Sequence, residues 1–347
     1  MISQQESVLL PSLSKPIIVV DKLSKTFSNG KIIAVDNISF EVREGEIFGF
    51  LGPNGAGKTT TINMLTTILR PSSGNAQVCG QDVHKHADEV RRSVGVVPQE
   101  YTADEDMTGH DNILLCADLY GLPRSDSKPH ADELLRLVEL HDAANRKVNT
   151  YSGGMRRRLE LACGLINYPR LLFLDEPTLG LDVQTRAAVW NYIRMLKEQY
   201  HMTLFLTTHY MEEADSLCDR IAIIDHGHIV KIGSPEELKA SIGGDVITVT
   251  VREREPDISS DIARLDLVRD VKQTDGAYRV KVKLGEEAAP RIMDLIRSKG
   301  LHVTKIALTK PTLDEAYLEF TGRELREEEI DRMQMFSQRL TMRRARS

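Results

Sequence analysis

Several features are absent from the sequence, and each absence argues against a class of protein. No apolar run approaches the roughly 18 residues that a membrane-spanning helix needs, which argues against an integral membrane protein. The four cysteines (Cys79, Cys116, Cys163 and Cys218) are far apart and do not have the spacing of metal ligands, so we predict reduced thiols in the core. The first residues, MISQQESVLLPSLSKP, have neither the basic start nor the cleavage site of a signal peptide. We therefore expect a cytoplasmic chain.

A large excess of charge of one sign is also missing. The 51 acidic and 45 basic residues give a net charge of -6, which argues against nucleic acid as a general partner and leaves only local basic patches open. The composition, 41% hydrophobic and 28% charged, is that of an ordinary globular protein. A chain of 347 residues is long enough for about two domains with a sizeable core.

The hydrophobic pattern changes along the chain and predicts an α/β fold. Residues 17–50 are predicted to form short strands joined by turns. From residue 46 onward strands and helices alternate, which favours a parallel sheet. Residues 100–165 are predicted to be mainly helical, with a break at GLPRSDSKP. Strands return at RLLFLDEP, TLFLTTH and RIAIID.

The C-terminal part has a pattern of its own. GSPEEL predicts a helix start, with Ser234 as the cap, Pro235 in the first turn and Glu237 completing a capping box. SIGGD, residues 241–245, is a plausible linker. The order beyond it is strand, helix, two strands, helix and strand, which predicts a small split βαβ sandwich followed by one more helix and a charged tail. We expect this part to serve subunit pairing or regulation.

The most specific motif is GPNGAGKTT, residues 52–60, which fits the phosphate loop G-x-x-x-x-G-K-[ST]. A predicted strand precedes it and a predicted helix follows, as the mechanism requires. The loop would turn its backbone N–H groups onto phosphate oxygens. Lys58 would reach the β- and γ-phosphates, and Thr59 would offer its hydroxyl to Mg²⁺. The alternative is a glycine-rich turn with an exposed lysine. The candidate binding residues are Gly52, Pro53, Asn54, Gly55, Ala56, Gly57, Lys58, Thr59 and Thr60.

Two carboxylates follow a buried strand in RLLFLDEPT. The carboxyl end of a central parallel strand is where α/β folds bind ligands. Asp175 suits the shell of Mg²⁺, and Glu176 is placed to polarise an attacking water. An acid pair at a strand end can also be plain surface, and the nearby phosphate loop is what favours the catalytic interpretation.

Three further residues are uninformative when each is taken alone. Gln99 ends a short apolar strand, where a glutamine is usually just solvated. His209 in TLFLTTH would usually be a satisfied histidine near the core. Phe27 in LSKTFSNG is either core filling or an aromatic plate under an adenine ring.

The order of these motifs resembles that of ABC-transporter ATP-binding subunits, over roughly residues 17–240. The resemblance implies a P-loop NTPase cassette with a parallel-sheet core, an antiparallel β subdomain and a helical subdomain at about residues 100–167. Residues 1–16 would be an N-terminal extension, residues 245–320 a small α+β accessory domain and residues 321–347 a charged tail.

The same resemblance implies a role for each remaining position. Phe27 is similar to the aromatic residue that stacks on adenine. Gln99 resembles the lid glutamine that senses Mg²⁺ and faces the membrane subunit. Asp182 is the acid of LGLD, which resembles the loop that communicates between two nucleotide sites. His209 resembles the switch histidine that contacts the γ-phosphate.

YSGGM is similar to the family signature LSGGQ, with Tyr151 replacing leucine and Met155 replacing glutamine. In such proteins two subunits pair head to tail, and this segment completes the ATP site of the opposite copy. Ser152, Gly153 and Gly154 would then contact ATP. A bound anion would also account for the three arginines that follow, which oppose the helix dipole. Glycines used for helix capping alone are the alternative.

The wording of three segments, TYSGGMRRRLELA, TTHYMEEADSLCDRIAIIDHG and PTLDEAYLEFTGREL, looks like the daunorubicin-resistance type of drug-export ATPases. That resemblance implies an ATPase on the cytoplasmic face of the membrane. Because this chain carries all the catalytic residues for two equal sites, we expect a homodimer. It would drive a separate integral permease that exports drugs, antibiotics or related amphipathic molecules. The alternatives are an importer ATPase and a soluble ABC protein acting on ribosomes or DNA.

Overall fold

A computed structural model of the protein describes residues 15–28, 30–242, 244–252, 257–274 and 277–322. The predicted N-terminal extension and most of the charged tail lie outside these residues. The chain divides into two compact units, residues 1–229 and residues 230–347. The division falls inside a strand, earlier than the limit predicted at residue 240, and the predicted domain limits remain predictions.

The first unit contains a parallel sheet, an antiparallel sheet and a group of helices. Its strands, the last of which crosses the division, are β1 Pro16–Phe27, β2 Ile32–Arg43, β3 Ile47–Leu51, β4 Ser73–Val78, β5 Gln81–Asp82, β6 Val94–Val97, β7 Leu171–Asp175, β8 Thr203–Thr208, β9 Arg220–Asp225 and β10 His228–Gly233. Its helices are α1 Lys58–Leu65, α2 Ala87–Ser93, α3 Gly109–Leu119, α4 Arg124–Leu137, α5 Gly153–Leu165, α6 Val183–Tyr200 and α7 Met211–Leu217.

The central sheet has the strand order β10-β9-β3-β8-β7-β6. The pairs that join β9, β3, β8, β7 and β6 in that order are all parallel, as the alternating pattern predicted. β3, β7 and β8 are buried along their whole length, as strands are when both faces of a parallel sheet are covered. Part of this cover is Phe40 of β2, which packs against Phe48 and Phe205. The loops after these strands therefore meet at one edge.

The antiparallel sheet has the order β2-β1-β4-β5, and α3 packs against α4 and α5 in the helical part. Both confirm the predicted subdivision of the cassette. The predicted break at GLPRSDSKP is too long, because α4 begins at Arg124 and includes Pro129. Pro123 caps the helix, and its carbonyl oxygen accepts from the side chain of Ser127. Pro129 then removes only one backbone donor from the second turn.

The second unit confirms the split βαβ prediction. Its elements are α8 Pro235–Ser241, β11 Asp245–Val251, α9 Ser259–Ala263, β12 Val268–Thr274, β13 Ala277–Val282, α10 Gly285–Ser298, β14 Val303–Thr309 and α11 Leu313–Thr321. The sheet order is β12-β13-β11-β14 with antiparallel pairs, and its core includes Ile247, Tyr278 and Ile292. The capping box of Ser234 and Glu237 at the start of α8 is also confirmed.

Within the described ranges, none of the helices has the length and apolarity that crossing a bilayer would take.

Candidate active site

The glycine-rich loop joins β3 to α1. Gly57, the residue before α1, has a φ of +107°, a conformation that residues with a side chain rarely adopt. A Cβ atom there would lie 2.4 Å from the carbonyl oxygen of Ala34 in β2. Glycine is therefore required both by the backbone angle and by the neighbouring strand. The loop runs into a helix N-terminus, which favours a bound anion.

Lys58 lies at the centre of the site, with 4% of its side chain exposed. Its Nζ donates to the carbonyl oxygens of Gly52 at 2.7 Å and Pro53 at 3.1 Å. The same atom lies 3.0 Å from Oε1 of Glu176. Its burial excludes the alternative of an exposed lysine in a plain turn. A buried ammonium beside this loop provides a strong charge-assisted donor for phosphate oxygens.

The two carboxylates at the end of β7 have different partners. Oδ1 of Asp175 accepts from the hydroxyl of Thr59 at 3.2 Å and from that of Thr207 at 2.5 Å. Oε2 of Glu176 lies 2.9 Å from Nδ1 of His209. Asp175 and Glu176 are 4% and 5% exposed, so neither is the plain surface acid of the alternative. The fold thus gathers Lys58, Thr59, Asp175, Glu176 and His209 at one edge of the sheet.

The backbone at Glu176 is in an unusual conformation that supports a functional role. Its φ is +48°, a region that costs a residue with a side chain about 1 kcal/mol or more. Thr207 at the end of β8 stabilises it, because the N–H of Glu176 donates to the carbonyl oxygen of Thr207 at 3.1 Å and to its hydroxyl at 3.0 Å. This conformation directs the Glu176 side chain to Lys58 and His209.

The surroundings shift the pKa values of Asp175 and Glu176 in opposite directions. Burial raises the pKa of Asp175, and the nearby charge of Glu176 adds to that effect against the hydrogen bonds from the threonines. Burial also acts to raise the pKa of Glu176, but the hydrogen bond from His209 and the charge of Lys58 outweigh it, and the pKa lies below its ordinary value. Glu176 is therefore ionised at neutral pH, as a proton acceptor has to be.

Other predicted residues lie around this cluster. Gln99 follows β6 and is half-buried at the same edge of the sheet as Asp175, since β6 and β7 are parallel neighbours. Phe27 ends β1 with 37% of its surface exposed, and the ammonium of Lys25 lies over its ring, 5.2 Å from the ring centre. Asp182 caps α6 by accepting from the N–H of Thr185 at 2.9 Å, and this bond holds the pKa of Asp182 below its ordinary value.

The SGG segment, residues 152–154, begins α5 and does not join the Lys58 cluster within one chain. Ser152 is exposed and caps the helix by accepting from the N–H of Met155 at 3.3 Å. A Cβ atom on Gly154 would lie 2.4 Å from Cγ2 of Thr185, so any side chain here would force Thr185 at the start of α6 to move. Helix capping, the alternative explanation of the motif, is therefore present, and ATP contact through the SGG segment stays a prediction.

The three arginines after the SGG segment each have a partner inside the chain. Arg156 contacts the carboxylate of Glu105. Arg157 donates to the carbonyl oxygens of Pro98 and Gln99. Arg158 donates to the carbonyl oxygen of Val138 at 3.0 Å. No bound anion is needed to explain these charges near the helix start.

Sequence reasoning missed several residues that organise the site. Thr207 donates to the carboxylate of Asp175 and accepts from the backbone N–H of Glu176. Its signal was the pair of threonines that ends a largely apolar strand. Glu213 in α7 is fully buried and accepts from the hydroxyl of Thr178 at 2.7 Å and from the indole N–H of Trp190 at 2.9 Å. It joins the segment after Glu176 to α6 and α7.

Because the carboxyl of Glu213 is buried, we predict that the free energy of unfolding depends on pH in a specific way. Burial raises the pKa of Glu213 above its ordinary value, because hydrogen bonds only partly offset the loss of water. The folded state then binds the proton more tightly than the unfolded state, so stability falls as pH rises above about 4.3 towards the folded-state pKa, by at most about 1.4 kcal/mol per pH unit. We expect Glu213→Gln to gain stability on the wild type over this range, measured by urea unfolding at several pH values.

Glu213→Ala is the control, because it leaves the Thr178 hydroxyl and the Trp190 N–H without their acceptor. It should cost about 1–3 kcal/mol near pH 4. That cost should shrink as pH rises, in parallel with the change for Glu213→Gln, because neither variant titrates at this position. A constant difference between wild type and Glu213→Gln across the range would contradict a raised pKa.

The phosphate loop, the acids after β7 and the parallel sheet define the class of protein as an ATP-binding cassette. The ABC transporter family model matches residues 35–179. A solved dimeric cassette in a post-hydrolysis state, bound to ADP and Pi, is 26% identical with a TM-score of 0.57, covering 62% of this chain and 98% of that chain.

The relatives narrow the family. A model for the C-terminal domain of DrrA1-3-like ATP-binding proteins matches residues 233–321. Daunorubicin resistance ATP-binding protein DrrA3 of Streptomyces coeruleorubidus is 41% identical, covering 90% of this chain and 98% of the relative. Nod factor export ATP-binding protein I of Ralstonia nicotianae is 44% identical, covering 68% and 73%. The chain belongs to the daunorubicin-resistance type of ABC transporter ATP-binding proteins, as its motifs predicted, and it is an ATPase.

Proposed function

We propose that two copies of this chain bind two ATP molecules head to tail and drive a separate integral permease. The proposed cargo is a drug, an antibiotic or a related amphipathic molecule that leaves the cell. The names of the relatives support this direction of transport, since one confers daunorubicin resistance and another serves Nod factor export. The proposed location is the cytoplasmic face of the membrane, bound peripherally through the permease.

The observation that carries the proposal is the buried cluster of Lys58, Glu176 and His209. In the proposed reaction Lys58 holds the β- and γ-phosphates, and His209 contacts the γ-phosphate. Glu176 orients a water molecule and accepts its proton as the water oxygen attacks the γ-phosphorus. The bond from that phosphorus to the β–γ bridging oxygen breaks, and ADP and phosphate leave.

The residues beside this cluster suit Mg²⁺. Thr59 and Asp175 offer one hydroxyl and one carboxylate, with their oxygens 3.2 Å apart. Mg²⁺ in nucleotide sites is usually held by one or two protein groups together with phosphate oxygens and water. Gln99 is proposed as a further ligand. When bound, the ion would neutralise charge that develops on the phosphates.

The adenine and the partner site are assigned to more exposed residues. Phe27 is proposed to stack on adenine, since its ring is partly exposed. Asp182 is proposed to lie between the two nucleotide sites. The SGG segment would complete the site of the opposite copy, where its serine hydroxyl, its glycine backbone and the N-terminus of α5 would face the γ-phosphate.

Dimerisation provides the test. With ATP, the Glu176→Gln variant should form a dimer, because it binds ATP and does not hydrolyse it. The Glu176→Gln/Ser152→Ala variant should stay a monomer, since Ser152 would lose its contact with the partner's ATP. Light scattering coupled to gel filtration measures both.

A capping control separates the two roles of Ser152. Thr108 caps α3 in the same way, accepting from the N–H of Asp111 at 3.1 Å. Glu176→Gln/Thr108→Ala loses a comparable cap, worth about 0.5–2 kcal/mol, and should still dimerise. Equal dimerisation of the Ser152 and Thr108 variants would reduce Ser152 to a helix cap.

Co-purification from cell membranes tests the partner and separates the other functions. Capture of a permease would support export if cells that lack this chain also lose resistance to a drug or antibiotic. A permease needed only for uptake would favour an importer, and ribosomes or DNA would favour a soluble ABC protein.

A further inference from the structure

The lid loop, residues 98–103, is attached to α5 by hydrogen bonds from two buried charged side chains. Arg157 is 1% exposed, and its guanidinium donates to the carbonyl oxygens of Pro98 at 2.7 Å and Gln99 at 2.9 Å. Glu160, one turn later and 2% exposed, accepts from the N–H of Thr102 at 2.6 Å and of Ala103 at 2.8 Å.

The pattern of these bonds is complementary. The first half of the lid loop presents carbonyl oxygens to a cation, and the second half presents N–H groups to an anion. The hydroxyl of Thr102 adds a third bond to Glu160 at 2.8 Å. Buried backbone groups need such partners, and a charged side chain gives them about twice the strength of a neutral one. If either half of the loop left α5, the buried charge of Arg157 or of Glu160 would lose its backbone partners.

The middle of the lid loop reaches the SGG segment itself. The ring of Tyr101 lies 5.1 Å from the guanidinium carbon of Arg157. The hydroxyl of Tyr101 donates to the carbonyl oxygen of Gly153 at 3.3 Å. The lid loop therefore contacts α5 at three places. Its first residues bind Arg157, its last residues bind Glu160, and Tyr101 between them binds the SGG segment.

We propose that Arg157 and Glu160 are positioning residues that make the lid loop and the SGG segment one rigid body. This inference rests on the proposed function, in which Gln99 serves the ATP site of its own chain and the SGG segment serves the partner's site. A displacement of α5 caused by one site would then be transmitted to Gln99 at the other. Arg157 acts through Gln99 and touches no substrate.

A double-mutant cycle between Arg157 and Gln99 tests the inference. We expect Arg157→Met to lower kcat about 10- to 100-fold, as small misplacements do, with the Kd for ATP changed less than about threefold. Gln99→Ala should have a similar effect. The double variant should be no slower than the slower single variant, because both changes remove the same contribution. Losses that multiply would mean that Arg157 acts independently of Gln99, and would overturn the proposal.

The neighbouring Arg156 gives a matched control. Arg156→Met removes a guanidinium from the same turn, one whose partner is the carboxylate of Glu105 at the surface. Its kcat should stay within about twofold of the wild type. If Arg157→Met folds poorly, Arg157→Lys keeps the charge and one of the two bonds and should have an intermediate kcat. A kcat of Arg157→Met equal to that of Arg156→Met would also overturn the proposal.

Hydrogen exchange measures the attachment of the lid loop to α5 independently of ATPase activity. The peptide that contains Thr102 and Ala103 should exchange at least about tenfold faster in Glu160→Gln than in the wild type, since its N–H groups lose their ionised acceptor. If the wild type hydrolyses no ATP while exchange changes as expected, the proposed function fails and the attachment stands. Unchanged exchange in an active enzyme contradicts the attachment alone.

Discussion

Glu176→Gln should lower the turnover of ATP about 10²- to 10⁴-fold, the range that a positioned general base contributes. Glutamine preserves the shape of the side chain and can accept from His209, but it cannot take a proton from water. Nucleotide affinity should change little, because Lys58 and the phosphate loop are untouched. Phosphate release measures turnover, and a fluorescent ATP analogue measures binding.

An exposed glutamate on α6, Glu198, provides the control, because Glu198→Gln removes one carboxylate of the same type far from the site. That variant should turn over at the wild-type rate. The pH profile adds a second check, since the hydrogen bond from His209 and the charge of Lys58 keep the pKa of Glu176 low despite its burial. Protonation of Glu176 should therefore limit activity only below the ordinary pKa of a glutamate, and any loss at higher pH belongs to other groups, such as Asp175, whose pKa is raised. Hydrolysis that survives in Glu176→Gln would remove this residue from the chemistry.

The parts of the fold that could be predicted are those in which local pattern and tertiary structure agree. β3, β7 and β8 are apolar because both faces of the parallel sheet are covered, so their sequences indicate strands wherever they are placed. The phosphate loop adds a spacing that few other structures require. With these strands located, the carboxyl ends and hence Glu176 and His209 follow from topology.

Some errors occurred where a side chain's partner is distant in sequence, and one where a local rule was applied too strictly. The arginines after the SGG segment looked unfavourable beside a helix N-terminus because their acceptors, such as the carbonyl oxygens of Gln99 and Val138, belong to other elements. The start of α4 was misplaced because Pro129 is normally a helix breaker, yet here it costs only one donor in the second turn. Glu213 could not be distinguished from the other glutamates in the sequence, because its partners Thr178 and Trp190 belong to other segments.

Lys58→Met should have the second large effect, and it should change stability and binding together. The substitution leaves Glu176 buried with His209 as its remaining side-chain partner, and breaking a buried ion pair costs about 3–5 kcal/mol. It also removes the ammonium that we propose faces the phosphates. Its charged hydrogen bonds would be worth about 1.5–3 kcal/mol, so ATP affinity should fall roughly 10- to 150-fold. Urea unfolding measures the first quantity, and nucleotide titration the second.

The double variant Lys58→Met/Glu176→Gln separates these two effects. It removes both members of the buried pair, so most of the lost stability should return, as it does when buried pairs are replaced by neutral groups of similar volume. ATP binding should not return, because no cation faces the phosphates. If the double variant regained ATP binding along with stability, the weak binding of Lys58→Met would be a consequence of unfolding, and Lys58 would have only the structural role that its bonds to Gly52 and Pro53 already give it. Stable protein that cannot bind ATP would instead assign the loss to the missing ammonium.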